Sequence, residues 1–125
     1  MTSPRPEFIY KITEDEPPSP IPEVYPPSEL DQKDGFVHLS TATQIPKTAS
    51  LFFTQTKKIY LLKLRVSALD PSKIKWDEVP GTNGGCPHLY GVFGRDQVVS
   101  VIGVKRGEGE GWEGVLLREC EGWLV

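Results

Sequence analysis

Two cysteines, two histidines and one methionine are all that this 125-residue chain offers, and each scarcity closes a route. Cys86 and Cys120 are too few and too far apart for a disulfide-built domain, and neither belongs to the C-x-x-C pair of a zinc ribbon. They read as free thiols in a reducing compartment. A metal centre would have to draw on Cys86, His88 and a carboxylate, and the Cys-Pro-His spacing does not suit ligation, so no metal is expected. No run of about 18 apolar residues exists to span a bilayer, and Met1 to Glu7 is polar and proline-bearing where an export signal needs an apolar core. The expectation is a cytoplasmic protein that makes no membrane contact. A net charge of −3 supplies no overall basic face for bulk nucleic acid.

The charge is nevertheless uneven. Residues 1–34 hold eight acids against three bases, whereas residues 35–69 hold Lys47, Lys57, Lys58, Lys63 and Arg65 and no acid. That excess either holds a small anion such as a nucleotide phosphate or lies on a solvated strand face. With 38% hydrophobic and 25% charged residues, the composition is that of a folding chain, and the length suits one domain over residues 1–125.

Phe8 to Thr13 is rich in strand formers, with Phe8, Tyr10 and Ile12 alternating onto one face. Six prolines among the eleven residues 17–27 bar helix and central strand alike, so this stretch is expected to be an extended surface connector with little apolar area to bury. After the Asp34-Gly35 turn pair, Phe36 to Ser40 reads as a strand with Phe36, His38 and Ser40 on one face and Val37 and Leu39 on the other. Thr41 and Gln44 form a capping box, and Ile45, Ala49, Phe52 and Phe53 come next at helical spacing, with a disturbance at Pro46. Lys58 to Val66 is the strongest strand, Ile74 to Trp76 a short one, Pro80 to Gly85 a loop, and Val98 to Val104 a buried strand. Trp112, Leu116, Leu117 and Cys120 mark a final helix that Gly122 stops. Strands outnumber helices without regular alternation, which makes the fold class α+β.

His38 precedes a helix N-terminus with Ser40 and Thr41 beside it, where hydroxyls, main-chain N–H groups and the helix dipole meet. Its imidazole either holds a ribose hydroxyl or shuttles a proton there, or it is packed as a satisfied histidine. His88 and Tyr90 share a face in Cys86-Pro87-His88-Leu89-Tyr90-Gly91, and either they bind a planar ring or Pro87 and Gly91 shape a turn whose polar groups face solvent. Trp76 offers a further aromatic face, and Asp77 and Glu78 are the acids close in sequence to these motifs, as general base or ribose anchor. No nucleophile elbow is present, so acyl transfer is not expected.

These blocks together resemble a known family. Ile9-Tyr10-Lys11-Ile12-Thr13, Asp34-Gly35-Phe36-Val37-His38-Leu39-Ser40-Thr41 with Gln44 and Phe52-Phe53, Tyr60-Leu61-Leu62, Lys75-Trp76 and Pro87-His88-Leu89-Tyr90-Gly91 occur in the order of the DUF952 domains of unknown function. The resemblance implies an ADP-ribosyltransferase-like fold, a split pair of small β-sheets with a nucleotide cleft and one or two helices. Phe36 to Leu64 is also similar to the strand, helix and strand of tRNA 2′-phosphotransferases, which consume NAD. By this resemblance Lys11 stands where histidine-type transferases place the residue that holds the nicotinamide ribose, His38 stands at the second motif, and the third falls near His88 or Tyr90. Trp76-Asp77 occupies the family's Trp-Glu pair, with Glu78 one place beyond. A lysine cannot accept a hydrogen bond as a neutral histidine can, so an anionic ligand group is expected at Lys11.

Two functions are open on this reading. In one, NAD or a related nucleotide is the substrate of an ADP-ribosyltransferase-like enzyme of weak or altered activity, with His38, His88, Asp77 and Glu78 catalytic and Lys11, Ser40, Thr41, Trp76 and Tyr90 binding. In the other, the domain is a binding module without turnover, for a small molecule or for a protein partner that meets the proline tract or the acidic ends. No resident cofactor is implied by either.

Overall fold

A computed structural model of the chain describes residues 6–78 and 85–125. Its elements in chain order are β1 (Phe8–Thr13), α1 (Glu29–Asp34), β2 (Val37–His38), α2 (Ile45–Phe52), β3 (Lys58–Arg65), β4 (Ile74–Asp77), β5 (Cys86–Leu89), β6 (Val98–Lys105) and α3 (Trp112–Glu119). The strands form two antiparallel sheets of three, ordered β1-β3-β6 and β2-β5-β4. The expected α+β class with two small sheets and few helices is what the chain adopts. Beyond β2, an isolated bridge ties the sheets: Tyr10 N–H donates to the Ser40 carbonyl at 2.8 Å, and Ser40 N–H returns the bond at 2.9 Å.

Strand alternation sorts the core into two apolar clusters on opposite faces of the first sheet. Tyr10, Ile12, Ile59 and Leu61 pack with Ile45 and Ala49 of α2 and Trp112, Val115 and Leu116 of α3. Ile9, Leu62 and Leu64 pack instead against Val37, Leu39 and Leu89 of the second sheet. The layers therefore run α2 and α3, first sheet, second sheet, with α1 beside β2. Each fully buried Leu or Ile contributes about 1.5–3 kcal/mol by leaving water, and β1 is buried on both faces because it lies in the middle layer. Among the described residues apolar side chains fill the contact between the two sheets.

Several expectations shift. Helix α1 was not expected. Its N-cap Ser28 accepts from Asp31 N–H at 3.1 Å, and Gly35 ends it in the left-handed conformation at φ 81°, which glycine adopts without strain. Pro46 sits in the first turn of α2 and does not break it, because that position has no intrahelical N–H bond to lose. Phe52 and Leu117, expected on apolar faces, are each 70% exposed, and Val115 takes the core position in α3. Val98–Lys105 is an edge strand of alternating exposure rather than a buried one.

The proline tract is extended but not loosely held. Ile21 and Tyr25 pack on the second cluster. Tyr25 stacks on Phe93 at 5.2 Å and its N–H donates to the Phe93 carbonyl at 2.8 Å. Gly94 lies so close to Glu23 that a Cβ there would overlap the Glu23 backbone. The loop expected at Pro80 to Gly85 falls, apart from Gly85, outside the described residues.

Candidate functional site

The short strand β2 pairs with β5 so that Val37 stands opposite Leu89 and His38 opposite His88. Alternation along both strands turns Val37, Leu39, Pro87 and Leu89 inward and brings Phe36, His38, His88 and Tyr90 together on the outer face. The two imidazoles expected to share a site are 5.7 Å apart between ring centroids. Phe36 is the hub between them. Its ring stacks on His88 at 4.3 Å and lies 4.6 Å from His38 and 5.1 Å from Tyr90. On β4, register places Lys75 opposite His88 and Asp77 opposite Cys86, which brings both polar side chains of that strand to the histidine face. The Lys75 ammonium sits 5.1 Å from the centre of the Tyr90 ring.

A carboxylate holds each imidazole. Nδ1 of His88 lies 2.7 Å from Asp77 Oδ2. Nδ1 of His38 lies 2.7 Å from Asp31 Oδ1, which also accepts from the His38 backbone N–H at 3.0 Å. On the far side of the ring, Nε2 of His38 lies 2.9 Å from Asp34 Oδ2. Both nitrogens of His38 thus face carboxylates. Among the described residues no protein group bonds Nε2 of His88. The His88 side chain is 13% exposed, and a carboxylate on Nδ1 sets the tautomer that leaves Nε2 as the acceptor nitrogen, as in other Asp–His pairs.

Lys11 contradicts its expected role. It projects from β1 toward the second sheet, is 7% exposed, and donates from Nζ to Asp31 Oδ2 at 2.8 Å and to the His38 carbonyl at 3.3 Å. Its anion is the protein's own Asp31. Burial works against both charges. It lowers the Lys11 pKa, and the bonds to Asp31 only partly oppose that. It would raise the Asp31 pKa, but donors from Lys11 and His38 outweigh it and hold this carboxyl below its usual range. Asp31 is therefore a buried ionised hub joining β1, α1 and β2.

A model of the DUF952 family, described as a protein of unknown function, matches residues 18–101. The chain belongs to the DUF952 family. Two solved structures of protein CC0527 from Caulobacter crescentus share the fold. Its crystal structure is 26% identical with a TM-score of 0.67, covering 83% of this chain and 91% of that one. Its solution NMR structure is 23% identical with a TM-score of 0.64, covering 90% and 95%. No curated protein matches the sequence. The DUF952 match spans every side chain of the histidine cluster except Lys11, which precedes it.

The remaining predicted residues of this DUF952 chain are dispersed. Tyr90 is at the site, 39% exposed. Ser40 is buried, bonded through its backbone to Tyr10, with its hydroxyl 3.5 Å from Thr48. Thr41 lies in the turn before α2, where Gln44 Oε1 accepts its N–H at 2.9 Å; the N-cap is Gln44 rather than the expected Thr41, and no side-chain bond caps the helix. Both serve the joint between sheet and helix. Trp76 is on the inward face of β4, packed with Ile74 against the second cluster, and so does not join the histidines. Glu78 is exposed just beyond β4.

Asp31, Asp34, Phe36 and Lys75 complete the DUF952 cluster and were not named as site residues from sequence. A lysine within a strand of apolar residues was the available signal for Asp31, since a buried ammonium requires a counter-charge. Two open depressions, of about 450 and 310 Å³, lie along β6 and contain none of these residues. Among the described residues no group of three or more His, Cys, Asp and Glu side chains is placed to hold a metal ion, and no helix is long and apolar enough to cross a membrane.

Proposed function

We propose that the outward face of β2 and β5 binds a ribosylated planar base, NAD or a related nucleotide, with the two histidines as its hydrogen-bonding and proton-transferring groups. The observation that carries this reading is the direct opposition of His38 and His88, each with Nδ1 on an aspartate. Nε2 of His88 is the nitrogen a ligand hydroxyl would meet, as acceptor or as general base. Tyr90, beside Phe36, supplies ring surface for stacking a base.

The ADP-ribosyltransferase resemblance extends this to chemistry. Loss of nicotinamide from NAD leaves an oxocarbenium-like sugar, and Asp34 and Asp77 are the exposed carboxylates at hand to stabilise it. Binding without turnover is the second reading. It is favoured by His38, whose two ring nitrogens are both already engaged.

A thermal-shift panel of NAD, ADP-ribose, AMP, adenosine and nicotinamide riboside tests the binding claim. A true ligand at 100 times its dissociation constant stabilises the fold by about 2.7 kcal/mol. Stabilisation by at least one compound, lost in His88→Ala, is expected. No shift with any of them would end the proposal.

A further inference from the structure

Asp34 occupies an unusual place. It is the last residue of α1, where the unpaired carbonyls at a helix C-terminus disfavour a negative side chain. Helix stability does not explain an acid there. What the position does achieve is local: Gly35, with φ 81°, turns the chain so that Asp34 and His38 meet at 2.9 Å. The Asp34 side chain is 36% exposed and that of His38 is 30% exposed, so this contact lies at the surface of the cluster. On the inner side of the same ring, Asp31 already supplies a buried carboxylate. His38 is therefore held by a carboxylate on its inner side without Asp34.

The charges around the ring make the consequence one-sided. Lys11 is consumed by Asp31, Lys75 lies over the Tyr90 ring, and three aspartates stand against these two lysines. The outer nitrogen of His38 is the position where an incoming oxyanion would meet the ring, and a carboxylate of the protein is already there.

We propose that Asp34 is an internal occupant of the ligand position on His38 Nε2, so that the site accepts a ligand that is neutral or cationic where it meets this histidine and rejects an anion there. This deepens the ribosylated-base reading and rests on the same face. It reverses the anionic preference that Lys11 suggested from sequence. A phosphate-bearing nucleotide would have to bind with its phosphate directed away from His38, or else displace Asp34.

The experiment uses inorganic phosphate and the ring resonances of His38 in 15N-labelled protein, so it does not depend on which nucleotide binds. Asp34→Asn keeps an acceptor of the same shape without the charge, and Asp34→Ser opens the position. Glu29→Gln, at the other end of α1, changes the net charge equally and serves as the control. Phosphate should perturb His38 at a concentration at least tenfold lower in both Asp34 variants than in the parent, with Glu29→Gln behaving as the parent does. The same phosphate response in all four proteins, or none in any, would overturn the proposal. In parallel, the AMP-to-adenosine affinity ratio should rise at least tenfold in Asp34→Asn. Should the phosphate result hold while neither AMP nor adenosine binds any of the proteins, the ribosylated-base reading fails and the role of Asp34 stands.

Discussion

Replacing Asp31 by Asn should be the most damaging conservative change in the molecule. The Asp31 side chain is 2% exposed and its partner Lys11 is 9% exposed. The substitution leaves the Lys11 ammonium with a neutral amide oxygen and the His38 carbonyl in place of an ion pair. Stranding one partner of a buried pair costs about 3–5 kcal/mol, and at about 4 °C per kcal/mol for a chain of this size the melting temperature should fall by roughly 12–20 °C. Lys11→Met should cost less, because Asp31 keeps the two His38 donors. The pH dependence has a definite sign. The folded-state pKa of Asp31 is lowered, so its contribution is present above the unfolded carboxyl value and is lost as pH falls through the folded one. The pKa of Lys11 is also lowered. The unfolded chain then binds more protons between the folded Lys11 value and the ordinary one, and stability rises with pH across that window. Removing Asp31 deepens the Lys11 penalty, so the deficit of Asp31→Asn should be greatest near neutral pH and shrink both in acid and in strong alkali. Urea unfolding at pH 3, 7 and 10 measures this directly. A deficit below about 1 kcal/mol at neutral pH, or one independent of pH, would refute the reasoning.

Other consequences are checked the same way. Gly94→Ala should lose well over 1 kcal/mol or prevent folding, because backbone rather than a movable side chain fills the space, and Tyr25→Ala should cost roughly 1.5–3 kcal/mol through the lost stack on Phe93. Unchanged chemical denaturation for both would show that the proline tract only connects. Trp76→Ala should lower the unfolding midpoint while leaving the His88 ring resonances in place, since its side chain packs inward. Movement of His88 comparable to that in Asp77→Asn would return Trp76 to the site.

What the sequence revealed depended on whether a residue's burden was local. β1 was legible from Phe8, Tyr10 and Ile12, but Ile9 and Lys11 are buried as well, and a strand covered on both faces has no alternation to betray its second side. Helix α1 buries a single side chain, and that one is charged, so no apolar period marked it. Ser28, Asp31 and Gly35 carried the only signal, as caps. The shared face of His38 and Phe36, and that of His88 and Tyr90, came from period two. Their juxtaposition required the pairing of β2 with β5, which no local pattern states. Lys11 was misread because its counter-ion is twenty residues away. Trp76 could have been placed correctly: Ile74 and Trp76 alternate with Lys75 and Asp77, and the apolar pair belongs inward.

The claim that the histidine pair is the ligand site is tested most directly by calorimetry of the parent and of His88→Ala, using the compound that gives the largest thermal shift. Among the described residues no protein group bonds Nε2 of His88, so removing that ring should weaken binding by about 1–3 kcal/mol, roughly 5- to 150-fold. Asp77→Asn should move affinity in the same direction through loss of the Nδ1 contact. Binding of His88→Ala with the affinity of the parent would contradict the account.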